Sequence, residues 1–286
     1  MKASIITIGN ELVAGFTIDT NSSWIGQRFF EHGVFVNKKV SIPDEASSIR
    51  FELDLAISDK SNFIVLTGGL GPTHDDITAK VISEYFGLKK EIDHSYLNVL
   101  KKKFISKDIE MPSINFNQAY IYTGTNIIPN VSGSARGLII KKNKSTIFVL
   151  PGVPFEMKQM FIDTVEKKYL PRCNEKKSYT LRSMGITESS LVGKVEKQIN
   201  FWEDKLFIAF LPSHMGVDIR LTIDFNNKIN LDAAVLDFKK AMGKYFYGMD
   251  SQKLEEIVLN RLRKKGKTLA VAESCTGGKL SSFITS

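Results

Sequence analysis

The chain is poor in cysteine: Cys173 and Cys275 are the only two in 286 residues. Two isolated thiols make no disulfide framework, so a reducing cytoplasm is the expected compartment. Long apolar runs are also missing. None reaches the roughly 18–20 residues of a membrane span, and no membrane partner is expected. The first apolar stretch, residues 1–9, lacks the h-region and cleavage site of a signal peptide and reads as a strand. Proline (8) and glycine (20) are too few for a collagen-like or low-complexity chain, and 43% hydrophobic residues exclude a disordered one. What the chain does have in excess is positive charge: 39 basic against 31 acidic residues, a net +8. That charge could attract anions such as nucleotides or nucleic acid. The runs 101–103 and 261–267 nevertheless read as solvated helix faces and ends without interleaved aromatics, so no nucleic-acid partner is expected.

The length suggests about two domains at roughly 100–200 residues each. Up to residue 170, strand and helix patterns alternate. Apolar runs at 4–8, 34–40, 63–66, 138–140 and 146–150 read as strands. Asn21-Ser22-Ser23 reads as an N-cap cluster, followed by Trp24, Ile25, Phe29 and Phe30 at helical spacing and a stop at Gly33. Further helices are expected after Pro43-Asp44-Glu45, over 78–86, and over about 155–168. This order argues an α/β fold with a doubly wound, mostly parallel sheet. Polar residues 171–177 mark a boundary. Beyond them, strands at 179–183 and 217–225 and helices at 188–199 and 231–245 read as a small α+β module. The expected domains are 1–170 and 171–250. Residues 251–286 then supply an amphipathic helix, an apolar strand at 268–272, and a Gly-rich turn into a last helix. Such a segment buries no core of its own and reads as the stump of a third, incomplete domain.

The segment richest in chemistry is Thr67-Gly68-Gly69-Leu70-Gly71-Pro72-Thr73-His74-Asp75-Asp76-Ile77-Thr78. It follows a buried strand and precedes a helix, where open α/β sheets bind ligands. Glycines let backbone N–H groups approach an anion, and a helix N-terminus favours negative charge. Asp75 and Asp76 could hold a divalent metal, act as a base, or cap the next helix. Glu11, Asp19, Asn21 and Asp44 follow the first two strands, and Pro151, Gly152 and Glu156 follow the last. Each could be a cap or turn residue taken singly. Together they place acids around one rim. His74, the one histidine near this loop, reads as an exposed loop residue.

The block TGGLGPTHDDIT, the opening IITIGNELVAGFTIDTN and the later LPGVPFEMKQM resemble the CinA (competence/damage-inducible protein A) family. Asn115-Phe116-Asn117-Gln118-Ala119 and Asn130-Val131-Ser132-Gly133 also look like that family's pattern. The resemblance runs over essentially the whole chain. It implies a molybdopterin-binding-like first domain, a KH-type α+β module, and the opening of a nicotinamide-nucleotide amidase domain at Ser274-Cys275-Thr276-Gly277-Gly278. It implies working aspartates at Asp44 and Asp76, with Asp75 and Glu11 beside them. It implies ligand contacts at Gly68, Gly69, Gly71, Thr73, Thr78, Asn21, Asn117, Pro151, Gly152 and Glu156. The activity it implies is ADP-ribose pyrophosphatase, dependent on a divalent metal at Asp44, Asp75 and Asp76, in a homodimer. A nucleotide- or pterin-binding protein without catalysis is the alternative. Amidase activity is not expected, because the serine Ser274 lacks the family's tyrosine and lysine partners, which would lie beyond Ser286. Two departures stand out. Ser134-Ala135-Arg136-Gly137 carries a cation where the family usually has proline, which alters the rim or adds an anion contact. Gly185-Ile186-Thr187-Glu188 breaks the Gly-x-x-Gly loop with which KH domains clamp RNA.

Overall fold

A computed structural model describes residues 1–106, 108–172, 177–223 and 229–285. The chain divides into two units, Met1–Asn174 and Glu175–Ser286. In chain order the N-terminal unit runs β1 (Lys2–Ile8), α1 (Asn10–Val13), α2 (Thr20–Glu31), β2 (Phe35–Ile42), α3 (Ala46–Ser58), β3 (Phe63–Thr67) and α4 (Thr78–Tyr85). It continues with β4 (Lys90–Ile92), α5 (His94–Ile105), β5 (Tyr120–Tyr122), β6 (Asn126–Ile128), β7 (Gly137–Lys142), β8 (Ser145–Leu150) and α6 (Pro154–Met160). A π-helical stretch, Phe161–Glu166, joins α6 to α7 (Lys167–Tyr169) where one continuous α-helix was expected.

Six strands form one sheet in the order β2-β1-β3-β8-β7-β6. β2, β1, β3 and β8 are parallel; β7 and β6 continue the sheet antiparallel. The central strands are apolar throughout because both of their faces are covered. Ile6, Ile8, Ile64, Leu66, Ile147 and Val149 enter one core with α3 and α4. Ala3, Ile5, Phe63, Val65, Phe148 and Leu150 enter the other with Ile25 and Phe29 of α2 and Met157 and Met160 of α6. Parallel strands send all their carboxyl ends to one edge, so the loops after β1, β2, β3 and β8 share it. The cap of α2 is Asp19, which accepts a hydrogen bond from the Ser22 N–H at 2.9 Å. The cluster Asn21-Ser22-Ser23 therefore lies inside the first turn, with Asn21 and Ser22 buried.

The C-terminal unit runs β9 (Ser178–Ser183), α8 (Glu188–Trp202), β10 (Leu206–Pro212), β11 (Val217–Ile223), α9 (Leu231–Met242), β12 (Phe246–Met249), α10 (Leu254–Lys264) and α11 (Lys279–Thr285). Its sheet is fully antiparallel in the order β10-β11-β9-β12. This βαββαβ order is the split βαβ arrangement. Leu181, Ile219 and Leu221 pack against Leu191 and Val195 of α8 and Phe238 of α9. β11 alternates buried and wetter residues as its sequence demands; residues 224 and 225 of the longer strand expected there, and Cys173, lie outside the described residues.

The apolar strand expected at 268–272 does not form. Leu269 and Val271 are 47% and 39% exposed, and the segment joins none of the sheets among the described residues. Apolar composition favours a strand only where a neighbouring edge completes its hydrogen bonds. The turn that follows does form. Glu273 accepts from the backbone N–H groups of Leu280 and Ser281, both at 2.8 Å, and from the Thr276 hydroxyl at 2.6 Å.

Candidate functional site

The site is built on the turn between β3 and α4. Gly68 and Gly69 adopt φ values of 117° and 63°. A Cβ at Gly68 would stand 2.1 Å from the Ile8 carbonyl oxygen, and one at Gly69 would stand 2.3 Å from Thr78 Oγ1. Only glycine tolerates both the backbone angles and the approach of β1 and α4. The Gly68 N–H donates to the Leu150 carbonyl at 3.1 Å, which pins the turn to the end of β8.

Acids from three loops meet beside this turn. The Asn10 N–H donates to Asp44 Oδ2 at 2.8 Å, tying the loop after β1 to the loop after β2. Burial pushes the Asp44 carboxyl above its ordinary range; Glu11, Asp75 and Asp76 push it the same way, against the Asn10 hydrogen bond. Asp76 lies against Gly71, where a Cβ would be 2.4 Å from its Oδ2. Asp76 Oδ2 accepts from the Thr73 N–H at 2.9 Å and the Thr73 hydroxyl at 2.5 Å. Neither aspartate caps α4, whose N-cap position is Ile77 without a side-chain bond. Asp75 sits outermost, paired with exposed His74 at 2.8 Å. Among the described residues, no three His, Cys, Asp or Glu side chains form a group that could hold a metal ion. The divalent-metal set Asp44, Asp75 and Asp76 thus does not fit an ion in this arrangement. The carboxylates are electrostatic neighbours, and each is already committed to another contact.

A buried relay joins β3, β8 and α2 behind the glycines. The Thr67 hydroxyl donates to the Pro151 carbonyl at 2.8 Å. Asn21 Nδ2 donates to the Gly152 carbonyl at 2.8 Å and to Thr67 Oγ1 at 3.3 Å. Two buried polar atoms at this place have no partner: Asn21 Oδ1 and Thr78 Oγ1. Orphaned buried polar atoms are rare in native proteins and call for an explanation.

Glu156, at the start of α6, serves the rim differently. It accepts from Asn130 Nδ2 at 2.6 Å, and Asn130 Oδ1 accepts from the N–H groups of Ser132 and Gly133. Glu156 therefore holds the loop after β6 and is not joined to the Asp44 group. Asn117, on a 3₁₀ turn at Ser113–Ala119, lines a small cavity of about 40 Å³ with Leu70, Gln118 and Arg136. Arg136 adds no anion contact at the rim. Its guanidinium pairs with Asp93 at 2.6 Å and lies 3.7 Å from the Tyr96 ring centre. Ion pairing at short range and stacking on an aromatic face absorb the cation. Asp93 also caps α5, so Arg136 fastens that helix to β7. Ser274, Thr276, Gly277 and Gly278 are exposed in the C-terminal unit.

Sequence reasoning placed the glycine turn and the acids but did not identify Thr67, Asn10 or Asn130 as the residues that hold them. Their polar side chains next to strand ends were the available signal.

The N-terminal unit is a doubly wound α/β domain with a glycine turn and an acidic rim at the carboxyl edge of its parallel strands. Residues 4–172 match the family model described as "Probable molybdopterin binding domain". Residues 251–286 match that of the "CinA C-terminal domain". Over 291 residues the chain is 35% identical to a protein of Caldicellulosiruptor saccharolyticus named as competence-damage inducible, covering all of this chain and 70% of that one. It is 34% identical to a "CinA-like protein" of Kosmotoga olearia, covering 99% of this chain and 70% of that one. Among solved structures, the CinA protein of Thermoplasma acidophilum, titled as having unknown function, is 32% identical with a TM-score of 0.53. The similarity covers 58% of this chain and 96% of that one. The chain belongs to the CinA family. Among the described residues, no helix is long and apolar enough to cross a membrane.

Proposed function

We propose that the N-terminal domain is a hydrolase of nucleotide diphosphates of the ADP-ribose type, releasing AMP and ribose 5-phosphate. The observation that carries this reading is the electrostatic grouping of Glu11, Asp44, Asp75 and Asp76 beside the glycine turn. The 68–71 turn offers close backbone approach to the diphosphate. Asp44, with its carboxyl held above the ordinary range, is the base: it takes a proton from water as the water oxygen bonds to phosphorus and the bridging P–O bond breaks. The divalent cation that the resemblance implies has no three-donor group among the described residues, so the step rests on the side chains alone. The test is incubation of the full chain with ADP-ribose, with and without divalent cations. Release of AMP that is lost in Asp76→Ala supports the reading; equal rates in both proteins would sink it.

The missing three-donor group favours a second reading, in which the same turn binds a nucleotide or pterin without cleaving it. A thermal shift with AMP or a pterin, in the absence of turnover, would select it. The proposal includes the homodimer and a KH-type second module that does not clamp RNA; sedimentation tests the first, and a salt-dependent RNA shift would overturn the second. Ser274 takes no catalytic part in this proposal. It is exposed, and no side chain among the described residues hydrogen-bonds to it, whereas a nucleophilic serine needs a base. Ammonia released from nicotinamide mononucleotide by this chain would overturn that assignment.

A further inference from the structure

Large apolar side chains stand in water on both sides of the glycine turn. β3 lies between β1 and β8 in the sheet, so the turn at 68–71 is flanked by the loops that follow those two strands. The loop after β1 exposes Phe16 and Ile18, at 88% and 83%; the loop after β8 exposes Val153 and Phe155, at 53% and 69%. Both loops are tied to the site. The Thr17 N–H donates to the Glu11 carbonyl at 3.1 Å, and the Thr7 hydroxyl donates to Asp19 at 3.0 Å. A Cβ at Gly152, next to Val153, would stand 3.4 Å from Gly68 Cα. The first loop leads into α2 and the second opens α6, and these helices cover the same face of the sheet. A single exposed apolar residue is ordinary, whereas a pair on each side of one turn marks a surface that something covers. A protein seated across both pairs would cover the turn and the carboxylates beside it, and burying unpaired charge is costly. A nucleotide avoids that cost. Its phosphates meet the backbone of the turn, and its planar base has a face that stacks on an aromatic ring.

We propose that Phe16 is a specificity-determining residue on which the base of the bound nucleotide stacks, with Ile18, Val153 and Phe155 as the apolar rim around it and the phosphates on the glycine turn. The inference rests on the nucleotide reading above and adds to it: the site takes phosphates that carry an aromatic base in preference to bare sugar phosphates. Neither phenylalanine is among the ligand contacts that the family resemblance implies. Stacking reads the π-face that every base has, so the rim selects for a base without selecting which one.

The test measures dissociation constants of the full chain for AMP and for ribose 5-phosphate, which keeps the phosphate and lacks the base. AMP is expected to bind more tightly. Phe16→Ala should weaken AMP about tenfold, within the range of one base–aromatic stack, and leave ribose 5-phosphate unchanged. Phe16→Tyr keeps the ring and should keep the affinity for AMP. Phe155→Ala should weaken AMP by less than Phe16→Ala does. Equal binding of AMP and ribose 5-phosphate by the wild-type chain overturns the proposal and leaves the phosphate site standing. So does a Phe16→Ala variant that weakens both ligands alike or neither. A Phe16→Ala variant that changes sedimentation and not AMP binding makes the rim a protein contact and overturns it too. If the wild-type chain binds neither ligand, the nucleotide reading falls and this inference falls with it.

Discussion

The tripeptide Thr-Gly-Gly occurs twice, at 67–69 and at 276–278, each time before a helix. The glycines take positive φ at both places: 117° and 63° in the first, 59° and 81° in the second. The surroundings differ. At Gly68 and Gly69, β1 and α4 come so close that a Cβ would collide at 2.1 and 2.3 Å; at Gly277 and Gly278 nothing lies within 4 Å. Thr67 is buried and bonds across the sheet to Pro151, whereas Thr276 bonds in the open to Glu273 three residues away. Crowding by non-local elements fixes the backbone donors of the first turn and buries the groups behind it. The second turn shares only the positive φ of its two glycines and is held by one carboxylate.

The largest expected break in this comparison is Gly68→Ala against Gly277→Ala. The first combines an unfavourable φ with a backbone collision and should cost about 3–5 kcal/mol; the second carries only the left-handed strain of about 1 kcal/mol. Urea unfolding of both variants checks this, and equal losses would erase the distinction between the turns. Next is Asp76→Ala, which removes the carboxylate that bonds Thr73 in the first turn. Turnover of ADP-ribose should fall about a hundredfold, the scale of a mispositioned substrate-holding turn. Thr276→Ala at the other turn should leave that rate unchanged.

Two smaller effects appear with pH. The Asp44 carboxyl is raised by burial and by neighbouring acids. Its protonated form is therefore the one the fold favours, a contribution present below the ordinary aspartate value of about 3.9 and lost as pH rises through the folded value. Asp44→Asn should be more stable than wild type at pH 7, and the gap should close below about pH 4. Paired unfolding curves at the two pH values decide it; a gap that widens in acid would reverse the sign. Glu273 is pulled down to about 2 by hydrogen bonds from Ser281 and Thr276. Its capping of α11 is complete above the ordinary glutamate value of about 4.3 and should be lost as pH falls toward about 2. Amide chemical shifts of Leu280 and Ser281 report this, and a midpoint at the ordinary glutamate value would show that the cap is not formed.

Much of the N-terminal fold was legible. β1, β3 and β8 are short apolar runs, and such runs mark strands covered on both faces. The helices α2, α3 and α4 announced themselves by spacing and stops. β10 and β12 were not read, since Leu206–Pro212 shows no clean alternation and Phe246–Met249 is too short to show any. β6 likewise gains its identity from pairing with β7. The segment 268–272 failed in the other direction: its apolar residues suggested a strand, and among the described residues no edge completes one. In the site, the glycines and Asp44, Asp75 and Asp76 could be named from sequence. That Glu156 holds Asn130, and that Arg136 is absorbed by Asp93 and Tyr96, could not, because each contact depends on how separate loops are brought together.

The sequence by itself determined that the first unit alternates strand and helix, that a glycine turn follows a buried strand, and that acids follow several strands. Those features are local, fixed by side-chain periodicity and by the backbone freedom of glycine. Tertiary structure decided that the acids share one edge, that Asp44 is held above its ordinary range, and that the oxygen of Asn21 is left as a buried acceptor. Those features arise from distances between residues far apart in the chain. They appear only when parallel pairing sends the ends of β1, β2, β3 and β8 to the same side and burial strips water from the groups between them.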